Sequence, residues 1–210
     1  MSPRVLRWRY RDHPGDRAEI EFTVEVGKQF AVARGLEAHR IAQRIGAVLA
    51  SEGHVATLRS ADAPAAGDEI ERCDGVILGA AIRYGHYAPY LEGVVRGHRT
   101  SIEGRPNAFF SVCLTAGGPG ARPKAAQRYV DDLMSKTGWR PGAIAIFAGA
   151  LRYRHYNLFT RAMIRVIMTL TGGDTDTSRE YEYTDWQAVD RFAEDFAALL
   201  PAPATRLAAA

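Results

Sequence analysis

Cysteine is scarce in this chain, and its scarcity excludes two classes of small, cross-linked protein. The 210 residues include only Cys73 and Cys113, which lie far apart and form no C-x-x-C pair. A disulfide framework or a structural zinc site needs more cysteines than these, so both are excluded and no metal site is expected. Each cysteine lies in an apolar run, which favours a buried, reduced thiol.

Long apolar runs are missing as well. No segment reaches the roughly 18 apolar residues that a membrane-spanning helix requires. Four arginines fall within the first eleven residues, but no apolar segment follows them, so the N-terminus does not have the pattern of a signal peptide. We therefore expect a cytoplasmic protein, either soluble or peripherally bound to a membrane.

Strong overall charge is a third feature that the chain lacks. The formal net charge of +3 is too small to predict a nucleic-acid partner, and none is expected. Hydrophobic residues make up 47% and charged residues 24% of the chain, which is ordinary usage for a globular protein. A chain of 23.0 kDa can bury a sizeable core without cross-links.

Acidic residues are absent from one long stretch. Residues 133–173 contain no Asp or Glu. The Lys and Arg residues in this stretch are Lys136, Arg140, Arg152, Arg154, Arg161 and Arg165. Such an asymmetry predicts a face that meets an anionic partner.

Apolar runs and amphipathic segments alternate along the chain. The runs with strand character are residues 54–59, 74–81, 107–114 and 143–148. The segments with helical periodicity are residues 38–51, 90–98, 124–136 and 185–200. This alternation predicts an α/β fold with a doubly wound, five-stranded parallel sheet. Ligands bind beyond the carboxyl ends of such strands, so the loops before residue 38, after 81 and after 114 are candidate sites.

One segment near the last strand does not fit this alternation. Residues 151–182 form an insertion longer than the usual connection to a final helix. Within it, residues 158–170 carry an apolar stripe at helical spacing, and Arg161 and Arg165 lie beside it. Two interpretations stay open. The stripe packs on the domain's own core, or it lies among lipid headgroups with the arginines on anionic phosphates.

Two strand-end loops carry residues suited to chemistry. The loop Ile82–Tyr87 places an arginine, a histidine and two tyrosines around a glycine. Its aromatic rings could sandwich a planar ring, and Arg83 or His86 could hold a carboxylate or carry a proton. A surface loop that is merely rich in aromatic residues is the alternative. The loop Ser111–Gly118 offers backbone amides that suit the polar edge of a flavin or nucleotide.

A phosphate-binding loop is expected before the first long helix, where free amides and the helix dipole favour anions. However, no Ser or Thr occurs between Val24 and Ala50. A phosphate would therefore depend on Arg34, Gly35 and the backbone.

The blocks CDGVILGAAIRYGHY and AGALRYRHYNLFTRAMIRVIMTLTGGDTDTSREYEYTDW together resemble one family. The segments SVCLTA and GWRP extend the resemblance, which spans residues 38–196. The family is the flavodoxin-type, quinone-dependent protoporphyrinogen IX dehydrogenase of bacterial haem biosynthesis. The resemblance implies a flavodoxin-like fold that binds FMN noncovalently and has an insertion near the last strand. It also implies oxidation of protoporphyrinogen IX in successive two-electron steps, with electrons passed to a membrane quinone, either menaquinone or ubiquinone.

The resemblance and the loop positions together define the expected site. The expected catalytic residues are Arg83 and His86. The expected cofactor-binding residues are Ala33, Arg34, Gly35, Leu36, Glu37, Ala38, Ala81, Ile82, Tyr84, Gly85, Tyr87, Ser111, Val112, Leu114, Thr115 and Ala116. The residues expected to contact substrate or membrane are Arg152, Tyr153, Arg154, Arg161 and Arg165. A quinone dissolved in lipid implies a peripheral position on the anionic, cytoplasmic face of the inner membrane, and self-association into a homo-oligomer is left open.

The N-terminus departs from the family. Counted back from Ala38, the hydroxyl positions of the family's phosphate loop fall on Ala33 and Ala38, and its glycine falls on Leu36. Residues 1–27 match nothing in the family pattern, so we expect an N-terminal extension, a flavodoxin-like domain over 28–200 and a frayed tail over 201–210. Three explanations stay open: backbone amides still hold the phosphate, flavin binding is weak or lost, or the predicted reading frame or start is wrong over the first 35 or so residues.

Two alternative functions follow from this departure. One is an electron-carrying flavodoxin, which is disfavoured because such carriers are usually acidic and lack the basic insertion. The other is a flavin-free protein that binds porphyrin or membrane. Flavin content discriminates the second alternative from the enzyme.

Overall fold

The computed structural model describes residues 4–11, 17–24, 28–32, 36–59, 70–153, 162, 164–166, 168–169 and 172–202. Nine strands are described in these ranges. They are β1 (Arg4–Arg11), β2 (Arg17–Val24), β3 (Lys28–Val32), β4 (Val55–Arg59), β5 (Gly75–Ala81), β6 (Asn107–Val112), β7 (Ala143–Phe147), β8 (Ala150–Arg152) and β9 (Glu180–Glu182). The long helices are α1 (Leu36–Ser51), α2 (Pro89–Glu103), α3 (Pro123–Thr137) and α4 (Trp186–Ala197), and a short 3-10 helix spans Leu114–Ala116.

Five strands form a parallel sheet in the order β4-β3-β5-β6-β7. The chain leaves β3 for the edge strand β4 and then returns to β5 on the other side of β3. Strand order therefore reverses between β3 and β5, and a crevice opens beyond their carboxyl ends. This topology confirms the doubly wound α/β fold that the alternation of segments predicts.

The sheet is covered by helices on both faces. On one face, α1 and α4 bury Ile41, Ile45 and Phe196 against the sheet. On the other face, Leu91 and Val130, from α2 and α3, pack with the neighbouring residues of the second core cluster. The strands β5 and β6 between the two layers are almost completely buried, which explains their unbroken apolar sequences.

Local sequence sets where several elements begin and end. The carboxylate of Asp185 accepts a hydrogen bond from the backbone N–H of Ala188 at 3.0 Å and caps α4. Gly138, with φ of +69°, ends α3 in the left-handed conformation. The helix expected over residues 90–98 runs on to Glu103, because buried Ile102 continues its apolar face beyond a local break at His98.

The N-terminal segment forms its own hairpin. Strands β1 and β2 pair antiparallel, with Arg4 opposite Val24 and Arg11 opposite Arg17. They belong to a two-stranded sheet separate from the five-stranded one. The parallel sheet begins with β3 at Lys28.

The insertion has a short antiparallel stem. Strands β8 and β9 pair with Leu151 opposite Tyr181, which brings the two ends of the insertion together. Between them, residues 162, 164–166 and 168–169 are helical and lie within the helix predicted over 158–170. The remainder of that helix lies outside the described residues, as does the tail beyond residue 202. In the part of the chain that the structure describes, no helix is long and apolar enough to cross a membrane.

Candidate functional site

The loop after β5 closes as a tight two-residue turn. Arg83 and His86 exchange backbone hydrogen bonds, with N–H to carbonyl distances of 3.0 and 3.2 Å. Tyr84 and Gly85 between them have φ values of +52° and +84°. Positive φ at both central positions is the geometry of the turns favoured in hairpins. Tyr84 is the only described non-glycine residue with positive φ, and 74% of it is exposed. The turn thus presents an uncovered aromatic ring near the carboxyl end of β5.

Below the turn, Tyr87 ties the ends of two strands together. Its hydroxyl donates a hydrogen bond to Oγ of Ser111 at 2.7 Å, and its ring packs edge-on against Phe109. Burial raises the pKa of Tyr87 well above its usual range, so the phenol stays neutral. Ser111 is fully buried in β6. This link joins the segment that follows the turn to the carboxyl-terminal half of β6.

The loop after β6 forms the second wall. Residues Leu114–Ala116 form the 3-10 helix and are half-buried, and the N–H of Arg122 donates to the carbonyl of Thr115 at 2.7 Å. Behind them, the thiol of buried Cys113 lies 3.3 Å from Oγ1 of Thr115. The loop is therefore tied to itself and to the end of β6, and it leaves the same edge of the sheet as the turn because β5 and β6 are parallel neighbours.

The amino end of α1 is occupied by a charged network. Glu37 accepts hydrogen bonds from Nε of Arg152 at 2.6 Å and from Nη1 of Arg40 at 3.3 Å. Arg152 also pairs with Glu180 at 2.8 Å and Glu182 at 3.4 Å, and Arg40 pairs with Glu182 at 3.0 Å. These described groups carry one more negative than positive charge. The network joins α1 to the stem of the insertion.

The chemistry of these residues suits the ring of a flavin better than its phosphate. Exposed Tyr84 offers an aromatic face, and the half-buried loop at residues 114–116 follows β6, the neighbour of β5 in the sheet. At α1, Glu37 places a carboxylate where a phosphate would bind, and neighbouring Ala38 is fully buried and has no hydroxyl. The remaining loop positions, Ala33, Arg34 and Gly35, lie outside the described residues, and Leu36 is described only as the first residue of α1.

Comparison with known proteins agrees with this architecture. The flavodoxin domain model matches residues 37–178. A Leishmania major protein named protoporphyrinogen IX dehydrogenase [quinone] is 39% identical over 166 residues, covering 71% of this chain and 72% of its own. A protein of the same name from Escherichia coli K12 is 42% identical over 133 residues, covering 63% of this chain and 74% of its own.

The chain belongs to the flavodoxin-type family of quinone-dependent protoporphyrinogen IX dehydrogenases. Among solved structures, flavodoxin 1 from Bacillus cereus is 17% identical, with a TM-score of 0.48, and the match covers 84% of this chain and 100% of that one. A mutant flavodoxin from Pseudomonas aeruginosa is 14% identical, with a TM-score of 0.46, and the match covers 82% of this chain and 98% of that one.

Most of the expected catalytic and cofactor-binding residues lie at the carboxyl ends of β5 and β6 or in the loops that follow, and Glu37 lies at the amino end of α1. Arg83 and His86 are exposed on the turn, and Nδ1 of His86 lies 3.1 Å from the carbonyl of Tyr84. Ala81 and Val112 end the neighbouring strands β5 and β6, and the N–H of Ile82 donates to the carbonyl of Val112. Gly85 and Leu114 lie in the loops that follow these two strands. Beside α1, Glu37 faces the stem of the insertion.

The residues expected to contact substrate or membrane differ in their burial and in their partners. The side chain of Arg152 is 19% exposed and engaged with three glutamates. Tyr153 is fully buried, and its hydroxyl donates to the carbonyl of Asp174 at 2.7 Å. Arg165 is exposed on the helical part of the insertion. Arg154 and Arg161 lie outside the described residues.

Sequence reasoning missed three residues that the fold brings to this site. Tyr183 packs on the loop after β6, Asp174 binds its hydroxyl, and Tyr181 stacks on its ring with centroids 6.2 Å apart. All three lie in the block GGDTDTSREYEYTDW, whose likeness to the family was the available signal. No group of three or more metal-binding side chains occurs among the residues with described positions.

Proposed function

We propose that this chain oxidises protoporphyrinogen IX to protoporphyrin IX and passes the electrons to a membrane quinone. The observation that carries the proposal is the turn at Arg83–His86. The family block that contains it folds so that Tyr84 stands exposed beside the crevice where strand order reverses. Relatives that share 39–42% identity bear the name of this reaction. Menaquinone and ubiquinone are both candidate acceptors.

The cofactor in this proposal is FMN. A bound flavin supplies the acceptor for two electrons at a time. Tyr84 and Tyr87 would flank its ring, and the backbone from Leu114 to Ala116 would meet the polar edge of the ring. The phosphate would be held at the N-terminus of α1, where backbone amides and the positive end of the helix dipole favour an anion. Glu37 would repel that phosphate, so the affinity for FMN relative to that for riboflavin tests where the phosphate binds.

The substrate lies on the solvent side of the turn. Protoporphyrinogen IX carries two propionates, and Arg83 offers a guanidinium that binds a carboxylate through two parallel hydrogen bonds. His86 adds a second hydrogen-bonding group on the same turn. Both side chains are exposed, so they are available to a ligand that arrives from solvent.

The insertion places the enzyme on an anionic membrane surface, on the cytoplasmic face. Two described residues of the predicted apolar stripe, Ala162 and Val166, are exposed, and 58% of Val166 is uncovered. Arg165 is exposed beside them. Uncovered apolar residues next to an arginine suit a helix lying in the interface, and they favour that interpretation over packing on the core.

One observation favours a second candidate, a flavin-free protein that binds porphyrin or membrane. The described groups around the amino end of α1 carry an excess of negative charge, which opposes a phosphate dianion. In this alternative the crevice beside Tyr84 would receive the porphyrin ring itself.

An absorption spectrum separates the two candidates. The purified protein is mixed with FMN, passed through a gel-filtration column and examined for the two visible bands of a bound flavin. A retained flavin, followed by quinone-dependent oxidation of protoporphyrinogen IX without oxygen, supports the enzyme. A colourless protein that binds protoporphyrin IX and does not oxidise the porphyrinogen refutes the enzyme and supports the second candidate.

A further inference from the structure

Tyr183 reaches the crevice from the far end of the insertion. A Cβ built on Gly118 would lie 2.8 Å from Cε1 of Tyr183, so the ring rests directly on the backbone of that glycine. Gly118 has a φ of +76°, a second reason why the position suits glycine. Gly117 is equally close-packed, between Tyr183 and Ala148. The phenol is therefore held against the loop that forms the second wall of the flavin site.

Asp174 is fixed next to this phenol from two sides. The hydroxyl of Tyr183 donates a hydrogen bond to Oδ2 of Asp174, and the hydroxyl of Tyr153 donates to the backbone carbonyl of the same residue at 2.7 Å. Tyr153 is fully buried, and Tyr181 stacks on the ring of Tyr183 with an interplanar angle of 13°. The hydroxyls of Tyr183 and Tyr153 thus hold Asp174 at its side chain and at its backbone, and Tyr181 packs on the ring of Tyr183.

Asp174 differs from the other described carboxylates near the crevice in the partner it faces. Glu37, Glu180 and Glu182 each bind an arginine. Within the described ranges, the side chain of Asp174 is hydrogen-bonded to a neutral phenol instead. A carboxylate that faces a phenol can accept the phenolic proton while the phenolic oxygen accepts another.

The phenol has the properties of a relay group rather than of a standing base. Burial raises the pKa of Tyr183 well above its usual range, and the hydrogen bond to Asp174 and the charge of that carboxylate raise it further. The hydroxyl therefore stays protonated at neutral pH. It can accept a proton on oxygen only while its own proton moves to Asp174.

We propose that Tyr183 and Asp174 form the proton-accepting pair of the oxidation, an inference that rests on the proposed function. In each two-electron step, a methylene bridge of the porphyrinogen loses a hydride to the flavin and a pyrrole nitrogen loses a proton. The proton goes to the oxygen of Tyr183 as the Tyr183 proton passes to Oδ2 of Asp174. One hydride and one proton leave the substrate, so charge and electrons balance.

The test combines two disabling variants with one matched control. Tyr183→Phe keeps the ring on Gly118 but removes the hydroxyl, and Asp174→Asn keeps a carbonyl acceptor but removes the base. The control is Asp176→Asn, an exposed acid close in sequence that binds Ser178 and Arg179. Flavin reduction by protoporphyrinogen IX is followed anaerobically by stopped flow. Reoxidation by quinone is measured separately.

In both disabling variants, the rate of flavin reduction should fall by about 100-fold or more, which is the usual effect of losing a general base. Their reoxidation by quinone should match the wild-type rate, because that step does not use the pair. The control should stay within about threefold of the wild type in each half-reaction. Disabling variants that reduce the flavin as fast as the control would overturn the inference while leaving the proposed function intact.

A second readout does not depend on catalysis or on the flavin. The ultraviolet absorbance of ionised tyrosine is titrated in the flavin-free protein. Asp174→Asn removes the hydrogen bond and the charge that raise the pKa of Tyr183 beyond the effect of burial, so the titration of that tyrosine should move to lower pH than in the wild type. Asp176→Asn should match the wild type. Equal titration of all three proteins would overturn the pairing, whereas a wild type that binds flavin but never oxidises the porphyrinogen would overturn the proposed function and this inference with it.

Discussion

The turn that presents Tyr84 predicts opposite effects on stability and on flavin binding. Tyr84 has a φ of +52°, and a residue with a side chain pays roughly 1–2 kcal/mol to adopt the left-handed conformation. Because 74% of Tyr84 is exposed, removing its ring costs little core packing. A residue that tolerates this conformation should therefore make the flavin-free protein more stable.

The change in the free energy of unfolding depends on which residue replaces Tyr84. Tyr84→Gly relieves the strain but loses roughly 0.5–1 kcal/mol to the greater freedom of glycine in the unfolded chain. Asparagine tolerates positive φ without that cost, so Tyr84→Asn should stabilise the protein by about 1 kcal/mol. In a domain of this size, that corresponds to a rise of roughly 2–4 °C in the melting temperature. Tyr84→Phe keeps the strain and should leave the melting temperature unchanged.

Flavin binding should respond in the other direction. Loss of an aromatic partner for the flavin ring costs roughly 1–3 kcal/mol, by analogy with stacking of nucleic-acid bases on aromatic side chains. Tyr84→Asn should therefore raise the Kd for flavin about tenfold, whereas Tyr84→Phe should bind as the wild type does. Denaturant melts of the flavin-free protein and flavin titrations followed by fluorescence measure the two effects. A destabilised Tyr84→Asn variant, or one with undiminished affinity, would refute the reasoning.

Three further predictions concern other parts of the molecule. Glu37→Gln removes the carboxylate at the amino end of α1, so calorimetric titration should show about tenfold tighter binding of FMN and unchanged binding of riboflavin. Equal changes in the two affinities would contradict a phosphate at that position. Replacing Arg161 and Arg165 by glutamine should weaken co-sedimentation with anionic vesicles but not with neutral ones, and unchanged partition would rule out the membrane contact. The indole N–H of Trp139 donates a hydrogen bond to the buried amide oxygen of Asn107 at 3.1 Å, and Trp139→Phe removes that donor. The free energy of unfolding should therefore fall by about 1–3 kcal/mol in denaturant melts. A loss below about 0.5 kcal/mol would contradict the importance of that bond.

The elements of the parallel domain were largely predictable because their signals are local. An apolar run such as residues 75–81 is buried on both faces wherever it lies in a parallel sheet, and an amphipathic period needs only its own residues to be recognised. Boundaries were less certain, since they depend on neighbours. The strand expected to reach residue 114 stops at Val112 because the chain turns into the 3-10 helix at Leu114.

The site was predictable only in the parts that form one continuous stretch of sequence. The motif from Ile82 to Tyr87 marked a binding loop, but its residues alone did not show that Tyr84 takes a positive φ. The expectation that Arg152 meets substrate or membrane considered its charge without its neighbours. Glu37 precedes it by more than a hundred residues, and only the fold places that carboxylate 2.6 Å away.

By itself, the sequence determined the alternation of strands and helices in the parallel domain, the family and the loop that carries the aromatic turn, because each is encoded in neighbouring residues. Tertiary structure alone decided which carboxylate faces an arginine and which faces a phenol. Asp174 and Tyr183 come together with Gly118 because the stem formed by β8 and β9 folds back beside the loop after β6. Contacts of this kind depend on the packing of distant segments, which no local periodicity records.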